Sequence, residues 1–252
     1  MNRTTMPTSN ERFLEIDLFR TIGLLMMFVY HIGFDLAFFY NYHLDPLSGG
    51  WLMLQRSTAC LFLLVVGISF SISFGRMKQK GASRKELLRK YLLNGLGLII
   101  IGELISLVTF FAVGDQYVRF GVLHLIGVSV ILAPLLIQFR ELNAFLAVIV
   151  FFIGRFVANL HTNSSLLLPL GITRPNFDSI DYYPLFPWLA AVLVGIALGN
   201  FLYNRGFLKV HLKRNRLTLS VTSPGRHSLI IYLIHQPIFL GILNVLALLK
   251  IL

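Results

Sequence analysis

Seven apolar stretches, each about as long as a lipid bilayer is thick, constrain the fold of this chain more than any other sequence feature. A helix needs about 20 mostly apolar residues to cross the hydrocarbon core. No stretch alternates strictly between polar and apolar residues, which argues against a transmembrane β-barrel. The sequence therefore predicts one all-α domain over 1–252, a multi-pass membrane bundle of about seven transmembrane helices. The stretches are 18–41, 52–75, 91–113, 120–139, 143–161, 183–204 and 227–249.

The composition fits a chain whose solvent is the bilayer. Of the 252 residues, 56% are hydrophobic and 13% are charged, with a mean hydropathy of +0.75, whereas a soluble domain is typically about 25% charged. The net charge of +11 comes largely from two short connecting segments, 76–90 and 205–226. That pattern is the positive-inside bias of membrane proteins, so it predicts a cytoplasmic N-terminus, an extracytoplasmic C-terminus and no nucleic-acid partner.

Three smaller features complete the predicted organisation. The first apolar stretch lacks a convincing cleavage site, so we interpret it as a retained helix and not as a signal peptide. The single cysteine, Cys60, permits no internal disulfide. The longest outside loop is 162–182, and its short apolar piece 166–170 either dips into the membrane or covers a site.

Ionisable residues inside the apolar stretches indicate where function lies. A charge at the bilayer centre costs about 2.5–3.5 kcal/mol, so such groups normally face a bundle interior or a hydrated cavity. At 1.5 Å of rise per residue most of them fall in the outer half of the membrane, with Glu103 and His235 near its middle. The sequence predicts one polar chamber that opens outward, with Asp181 at its rim. Its members are His31, Asp35, Arg56, Glu103, His124, Arg155 and His235.

The first helix carries a polar face. At 100° per residue, Asp17, Arg20, His31 and Asp35 project within an arc of about 60°. The first two lie at the inner end of the helix and the last two at the outer end. We interpret this face as one wall of a path across the bilayer.

The spacing of His31 and Asp35 predicts a general base. The two residues are one helical turn apart, and a carboxylate beside an imidazole makes a base that works near neutral pH. The alternative is a structural histidine. Arg56 and Arg155 either bind an anion or stabilise an oxyanion, or they neutralise Asp35 and Glu103. No third clustered ligand accompanies His31, so no metal is predicted.

Two more histidines admit two interpretations each. His124 lies three residues from both Gly121 and Gly127, which permit either close helix packing or ligand contact. His235 shares a helical stripe with Tyr232 and either lines the predicted chamber or is structural. The basic segments either set topology and contact anionic lipid, or bind a polyanionic cytosolic ligand.

Four blocks of sequence carry a family resemblance. They are Arg12-x-x-Glu-Ile-Asp-Leu-Phe-Arg20 with the following Tyr-His-x-x-Phe-Asp-Leu36; Arg119-Phe-Gly-Val-Leu-His-x-Ile-Gly127; Asp181-Tyr-Tyr-Pro-Leu-Phe-Pro-Trp188; and Gly225-Arg-His-Ser-Leu-Ile-Ile-Tyr-Leu-Ile-His-Gln-Pro237. In this order they resemble the bacterial branch of the heparan-alpha-glucosaminide N-acetyltransferase catalytic-domain family, within the transmembrane acyltransferases. Together they span nearly the whole chain.

The resemblance implies transfer of an acyl group, usually acetyl, from cytosolic acyl-CoA to a hydroxyl or amine of an extracytoplasmic sugar or glycolipid. It also implies a bacterial cytoplasmic membrane and acyl-CoA as cosubstrate with no bound cofactor. Whether the protein is a monomer or a homo-oligomer stays open. From residues and resemblance together, the predicted catalytic residues are His31, Asp35, Arg56, Arg155, His124 and His235. The predicted acyl-CoA-binding residues are Asp17, Arg20, Arg226 and His227.

Two other classes of function stay open at this stage. Intramembrane His, Asp, Glu and Arg also form the proton relays of transporters. A proton-coupled small-molecule transporter is therefore the main alternative, and a non-catalytic membrane subunit is the third hypothesis.

Overall fold

A computed structural model describes residues 12–208 and 212–251, so the first eleven residues and part of the second basic segment lie outside the description. Eight α-helices occupy the described residues, joined by loops and short 3₁₀ segments. They are α1 Leu14–Tyr40, α2 Gly49–Gln79, α3 Arg84–Val113, α4 Val122–Leu136, α5 Asn143–Val157, α6 Leu185–Gly199, α7 Arg216–Arg226 and α8 Ser228–Leu248. No strand forms among these residues, which confirms the predicted all-α class.

Six helical segments are long and apolar enough to cross a membrane. One of them, Val122–Val157, is 36 residues long and comprises both α4 and α5. As a straight helix it would measure about 54 Å, far more than the hydrocarbon core of about 30 Å. The backbone breaks at Arg140, where φ is 48° and ψ is −124°. This segment is therefore two helices, as the separate apolar stretches predicted.

Hydrogen bonds at the helix ends show that α4 and α5 run in opposite directions. α4 and α6 begin side by side, because the Tyr183 N–H donates to the Phe120 carbonyl at 2.8 Å. α5 begins where α6 ends, since the Asn200 amide donates to the Glu141 carboxylate at 2.6 Å. Because α5 is antiparallel to α6, it is also antiparallel to α4. The pair accounts for two crossings, and the apolar helices number about seven, as predicted.

The described chain falls into two compact units. The α1/α8 unit contains 12–62 and 212–251, and the α3–α6 unit contains 63–208. Helix α2 contributes its first part to the former and the remainder to the latter. The prediction of one domain over 1–252 stays a prediction.

Glycines let the helices of the α3–α6 unit approach closely. A Cβ on Gly127 of α4 would lie 2.7 Å from the carbonyl oxygen of Gly95 in α3, and a Cβ on Gly95 would meet the Gly127 carbonyl at 2.5 Å. Both distances are too short for a side chain. Close packing, one of the two purposes considered for Gly127, is therefore the one that the structure supports.

The α1/α8 unit contains a helix that the sequence pattern did not reveal. The second basic segment, predicted as a connection, includes α7. Its first turn is capped by Asn215, whose side chain accepts from the Thr218 N–H at 2.8 Å while its own N–H donates to the Thr218 hydroxyl at 3.0 Å. This reciprocal cap is a common start signal for a helix, and it was present in the sequence.

Helix α7 packs on α1 through Gly225. A Cβ there would collide with the Asp17 carbonyl oxygen, and the Gly225 N–H donates to the Thr21 hydroxyl at 3.0 Å. Only glycine fits this contact between the two backbones.

Gly225→Ala is expected to destabilise the protein by about 1–3 kcal/mol, the usual cost of forcing extra volume into a packed contact. Thermal unfolding of the purified protein in detergent measures the change. Gly241→Ala on α8 is the matched control, because a Cβ there meets nothing within 4 Å. Equal unfolding midpoints for the two variants would contradict the close contact of α7 with α1.

Candidate functional site

The polar face of α1 meets α7 and α8 at several levels. At the inner end, the buried Asp17 carboxylate is 3.0 Å from Nη1 of Arg20 and 3.6 Å from Nε of Arg226. Both arginine side chains keep about a quarter of their surface exposed, at 26% each. One buried carboxylate thus holds two guanidinium groups in place, and the cluster carries a net positive charge.

His31 and His235 form a pair at the outer end of the same face. Their ring centroids are 4.8 Å apart and their planes are inclined at 59°. Phe28 stacks on His235 at 6.1 Å, and Phe239 meets it edge-on at 5.8 Å. An apolar aromatic wall therefore surrounds two imidazoles that the sequence placed on different helices.

The hydrogen bonding of His235 determines which of its ring nitrogens is basic. Nδ1 is within hydrogen-bond distance of the Tyr232 carbonyl oxygen. A carbonyl only accepts, so this contact assigns the proton of a neutral ring to Nδ1. Nε2 is then an unprotonated acceptor, and among the described residues it has no hydrogen-bond partner although it is buried. It is a candidate proton acceptor.

Asp35 does not bond to the histidine beside which it was predicted to act. Its side chain is fully buried, and its Oδ1 accepts from the Gln236 amide. Within the described residues, Nδ1 of His31 is buried without a hydrogen-bond partner. The one-turn spacing is present, but the carboxylate is oriented by Gln236, which the sequence analysis did not single out.

His124 lies in the α3–α6 unit and has a different partner. Its Nδ1 accepts from the Gly121 N–H at 3.2 Å, so the proton of the neutral ring is on Nε2. Nε2 is 3.2 Å from a carboxylate oxygen of Glu103. The ring also packs on Gly102, where a Cβ would lie 2.8 Å from it. Helix α3 therefore holds His124 in one orientation beside a carboxylate.

Asp181, predicted at the rim of a chamber, caps the start of α4. Its carboxylate accepts from the Val122 N–H at 3.2 Å. Burial raises the pKa of this carboxyl to about 6, although the hydrogen bond from Val122 opposes the shift. The first N–H groups of a helix lack intrahelical acceptors, so Asp181 satisfies one that α4 leaves open.

A cavity of about 350 Å³ opens beside His124. It lies between α3, the start of α4, the 114–121 loop and a 3₁₀ segment at Ser165–Leu170. That segment contains all of the apolar piece 166–170 whose placement the sequence left open, and it forms part of the cavity wall. The polar members of the lining are Glu103, Tyr117, Arg119, His124 and Ser165.

Arg56 and Arg155 are not drawn into either cluster by any ion pair. Both side chains are exposed, and in 12–208 and 212–251 neither makes a salt bridge to an acidic residue. Arg56 is in the second turn of α2, and Arg155 is in the last turn of α5. Long basic side chains near helix ends reach the membrane interface, which explains their tolerance there. Neutralisation of Asp35 or Glu103, one of their predicted roles, is not observed.

Apart from Arg56, Arg155 and His227, the predicted site residues thus lie in two groups, one in each unit. His31, Asp35 and His235 gather in the α1/α8 unit, with Asp17, Arg20 and Arg226 further along the same helix face. His124 belongs to the α3–α6 unit. His227, also predicted to bind acyl-CoA, is exposed, with Nδ1 3.1 Å from the Ser223 carbonyl at the end of α7. The hypothesis that a single chamber contains all of these residues stays a prediction.

No metal site accompanies these clusters in the described part of the chain, where three or more His, Cys, Asp or Glu side chains nowhere converge as ligands. The α1/α8 cluster offers several titratable groups of its own. These are two imidazoles, one with an unpartnered basic nitrogen, and a carboxylate held by an amide.

The fold and the two clusters define a class of protein, namely a multi-pass helical membrane protein with buried titratable groups at its helix interfaces. The family model described as heparan-alpha-glucosaminide N-acetyltransferase, catalytic, matches residues 12–237. The chain belongs to this family, which confirms the family predicted from its sequence motifs. No curated protein and no solved structure matches the chain.

Proposed function

We propose that this protein is an integral membrane acyltransferase. It moves an acyl group, in the first instance acetyl, from cytosolic acyl-CoA to a hydroxyl or amine of an extracytoplasmic sugar or glycolipid. Family membership supports the reaction class. The observation that carries the proposal is the buried, unpartnered Nε2 of His235, in a ring 4.8 Å from that of His31.

The proposed chemistry uses the histidine pair as general base. Nε2 of His235 accepts the proton of the acceptor hydroxyl or amine as the acceptor oxygen or nitrogen bonds to the thioester carbon. The carbon–sulfur bond then breaks, and the CoA thiolate leaves with the electron pair and takes up a proton. Asp35, fixed by Gln236, contributes negative charge near the imidazolium that forms. In an alternative mechanism, His31 or His235 carries the acyl group transiently, and the products are the same.

The oxyanion role predicted for Arg56 and Arg155 has no support from their contacts. Each side chain is exposed near a helix end. The proposed mechanism therefore includes no arginine that stabilises the oxyanion, and Arg56 and Arg155 have no role in it. His124 also stays outside it, because its described contacts are with Gly121, Gly102, Phe120 and Glu103.

The inner end of α1 is the proposed site for the phosphates of acyl-CoA. Arg20 and Arg226 flank the buried Asp17, and each keeps about a quarter of its side chain exposed, which suits a site for an anion. Fourteen residues separate Asp17 from His31, about 21 Å along the helix. The thioester arm would follow this face from the cytosolic end to the histidine pair.

Arg226→Gln is expected to raise the KM for acetyl-CoA about tenfold or more, with a smaller effect on kcat. Loss of one charge-assisted hydrogen bond to a phosphate costs about 1.5–3 kcal/mol, and each 1.4 kcal/mol is about tenfold. The control is Arg214→Gln, which removes a positive charge from the same basic segment but from a residue outside the Asp17 cluster. An equal KM in both variants would assign Arg226 to topology or lipid contact.

The proposed function is tested directly by transfer of label. Purified protein is incubated with acetyl-CoA labelled in the acetyl group and with a panel of membrane-derived sugars and glycolipids. We expect label in an acceptor and release of free CoA in equal amount. Movement of a solute across proteoliposomes without consumption of acetyl-CoA would contradict the proposal and support the transporter alternative.

A further inference from the structure

The cavity of the α3–α6 unit presents two opposite charges that do not pair with each other. Glu103 and Arg119 both line it. In the described residues no salt bridge joins them, which means that no nitrogen of Arg119 comes within 4.0 Å of the Glu103 carboxylate. Opposite charges in a membrane protein normally neutralise each other, because an uncompensated charge is costly there. Their separation therefore requires an explanation.

Arg119 is held in place by contacts other than a carboxylate. Its guanidinium lies over the Tyr117 ring at 4.7 Å and the Phe177 ring at 5.6 Å. One of its nitrogens donates to the Asp115 carbonyl at 3.0 Å, while its buried Nε has no hydrogen-bond partner among the described residues. These cation–π contacts and the carbonyl keep the positive charge at the wall and leave one donor unused.

Glu103, which also lines the cavity, is in contact with His124. Nε2 of His124 is 3.2 Å from a carboxylate oxygen of Glu103, and the Glu103 side chain is 68% exposed. Because His124 is fixed by Gly121 and Gly102, it cannot swing away from this position. The carboxylate therefore faces the cavity with most of its acceptor capacity free.

Beside Glu103, α3 carries exposed apolar side chains that suit contact with lipid acyl chains. Ile100, Leu104 and Leu107 flank Glu103 on α3, and each is more than half exposed. Gly102 packs on His124, so Glu103 lies level with the first turn of α4. From α3 alone the sequence had placed Glu103 near mid-membrane. The structure places it beside the start of α4, among the other polar side chains that line the cavity.

We propose that this cavity binds the headgroup of a phospholipid that carries a primary ammonium and a phosphate, as phosphatidylethanolamine does. The ammonium pairs with Glu103, the phosphate pairs with Arg119, and the acyl chains lie along Ile100, Leu104 and Leu107. Such a headgroup satisfies both separated charges at once, which neither a purely anionic nor a purely cationic ligand does. The inference does not depend on acyl transfer.

Binding of short-chain phospholipids to the full chain in detergent tests the proposal, with native mass spectrometry to count bound molecules. Phosphatidylethanolamine is compared with phosphatidylcholine, which lacks ammonium N–H donors, and with phosphatidylglycerol, which lacks the cation. We expect at least about tenfold tighter binding of phosphatidylethanolamine, the effect of one charge-assisted hydrogen bond. Equal binding of the three lipids would overturn the proposal without any variant.

Two variants locate the site. Glu103→Gln should abolish the preference for phosphatidylethanolamine while phosphate binding persists. Glu141→Gln is the control, because it removes a carboxylate that pairs with Arg205 at 2.6 Å, at the end of α6 opposite the cavity, and should keep the preference. A preference that survives in Glu103→Gln overturns the assignment to this cavity. Free phosphoethanolamine that binds as tightly as the short-chain lipid overturns the requirement for acyl chains.

Discussion

His235→Asn is expected to lower the kcat of acetyl transfer by about 10²- to 10⁴-fold, the range that a positioned general base contributes. Asparagine retains an N–H that can donate to the Tyr232 carbonyl, as Nδ1 of the histidine does. It lacks the basic Nε2. The variant therefore removes the proton acceptor while it preserves the local hydrogen bond, and initial rates with labelled acetyl-CoA measure the loss.

Two comparisons make the result specific. His161→Asn changes an exposed histidine in the 158–164 loop and should leave the rate unchanged. His31→Asn should reduce the rate too, and the double variant with His235→Asn should be little slower than the slower single variant, because residues that act as a unit are strongly non-additive. A normal rate in His235→Asn, with an unchanged unfolding midpoint, would remove this histidine from the mechanism.

Asp35→Leu is expected to destabilise the protein by about 1–3 kcal/mol, the cost of a buried polar group left without its partner. The change removes the acceptor of the Gln236 amide. Gln236 is on α8, 201 residues after Asp35 in the sequence. Thermal unfolding in detergent should show a lower midpoint, by about 2–4 °C for each kcal/mol in a chain of this size. Asp35→Asn, which keeps an acceptor oxygen, should unfold near the wild-type temperature.

The double variant Asp35→Leu with Gln236→Leu distinguishes a lost hydrogen bond from lost packing. Replacement of both buried partners by apolar groups of similar size is often nearly neutral. The double variant should therefore recover most of the stability that Asp35→Leu loses. If it is instead less stable than either single variant, the Asp35–Gln236 contact does not account for the burial of this carboxylate.

The positions of the membrane helices were largely predictable from the sequence. The free energy of placing apolar residues in lipid adds up along a local window, so span length and number follow from composition alone. The polar face of α1 was predictable for the same reason, because helical periodicity fixes which side chains share a face. In the structure Asp17 contacts Arg226, His31 pairs with His235, and Asp35 bonds to Gln236.

Helix α7 was missed because its apolar content is low and its start signal is a short polar cap. Arg56 and Arg155 were assigned to a buried site because both lie inside predicted membrane-spanning stretches, 52–75 and 143–161. The structure places both near helix ends, where a long basic side chain can keep its charged group at the membrane interface.

The sequence by itself determined that this is a helical membrane protein of a known acyltransferase family, with titratable groups on one face of its first helix. Only the three-dimensional structure decided which nitrogen of His124 and of His235 carries the proton and which partner orients Asp35. Those assignments depend on single hydrogen bonds, either to a distant segment, as from the Gln236 amide to Asp35, or to the backbone of the preceding turn, as from the Gly121 N–H to His124. A pattern of residue types along the chain does not encode the distances that make such bonds.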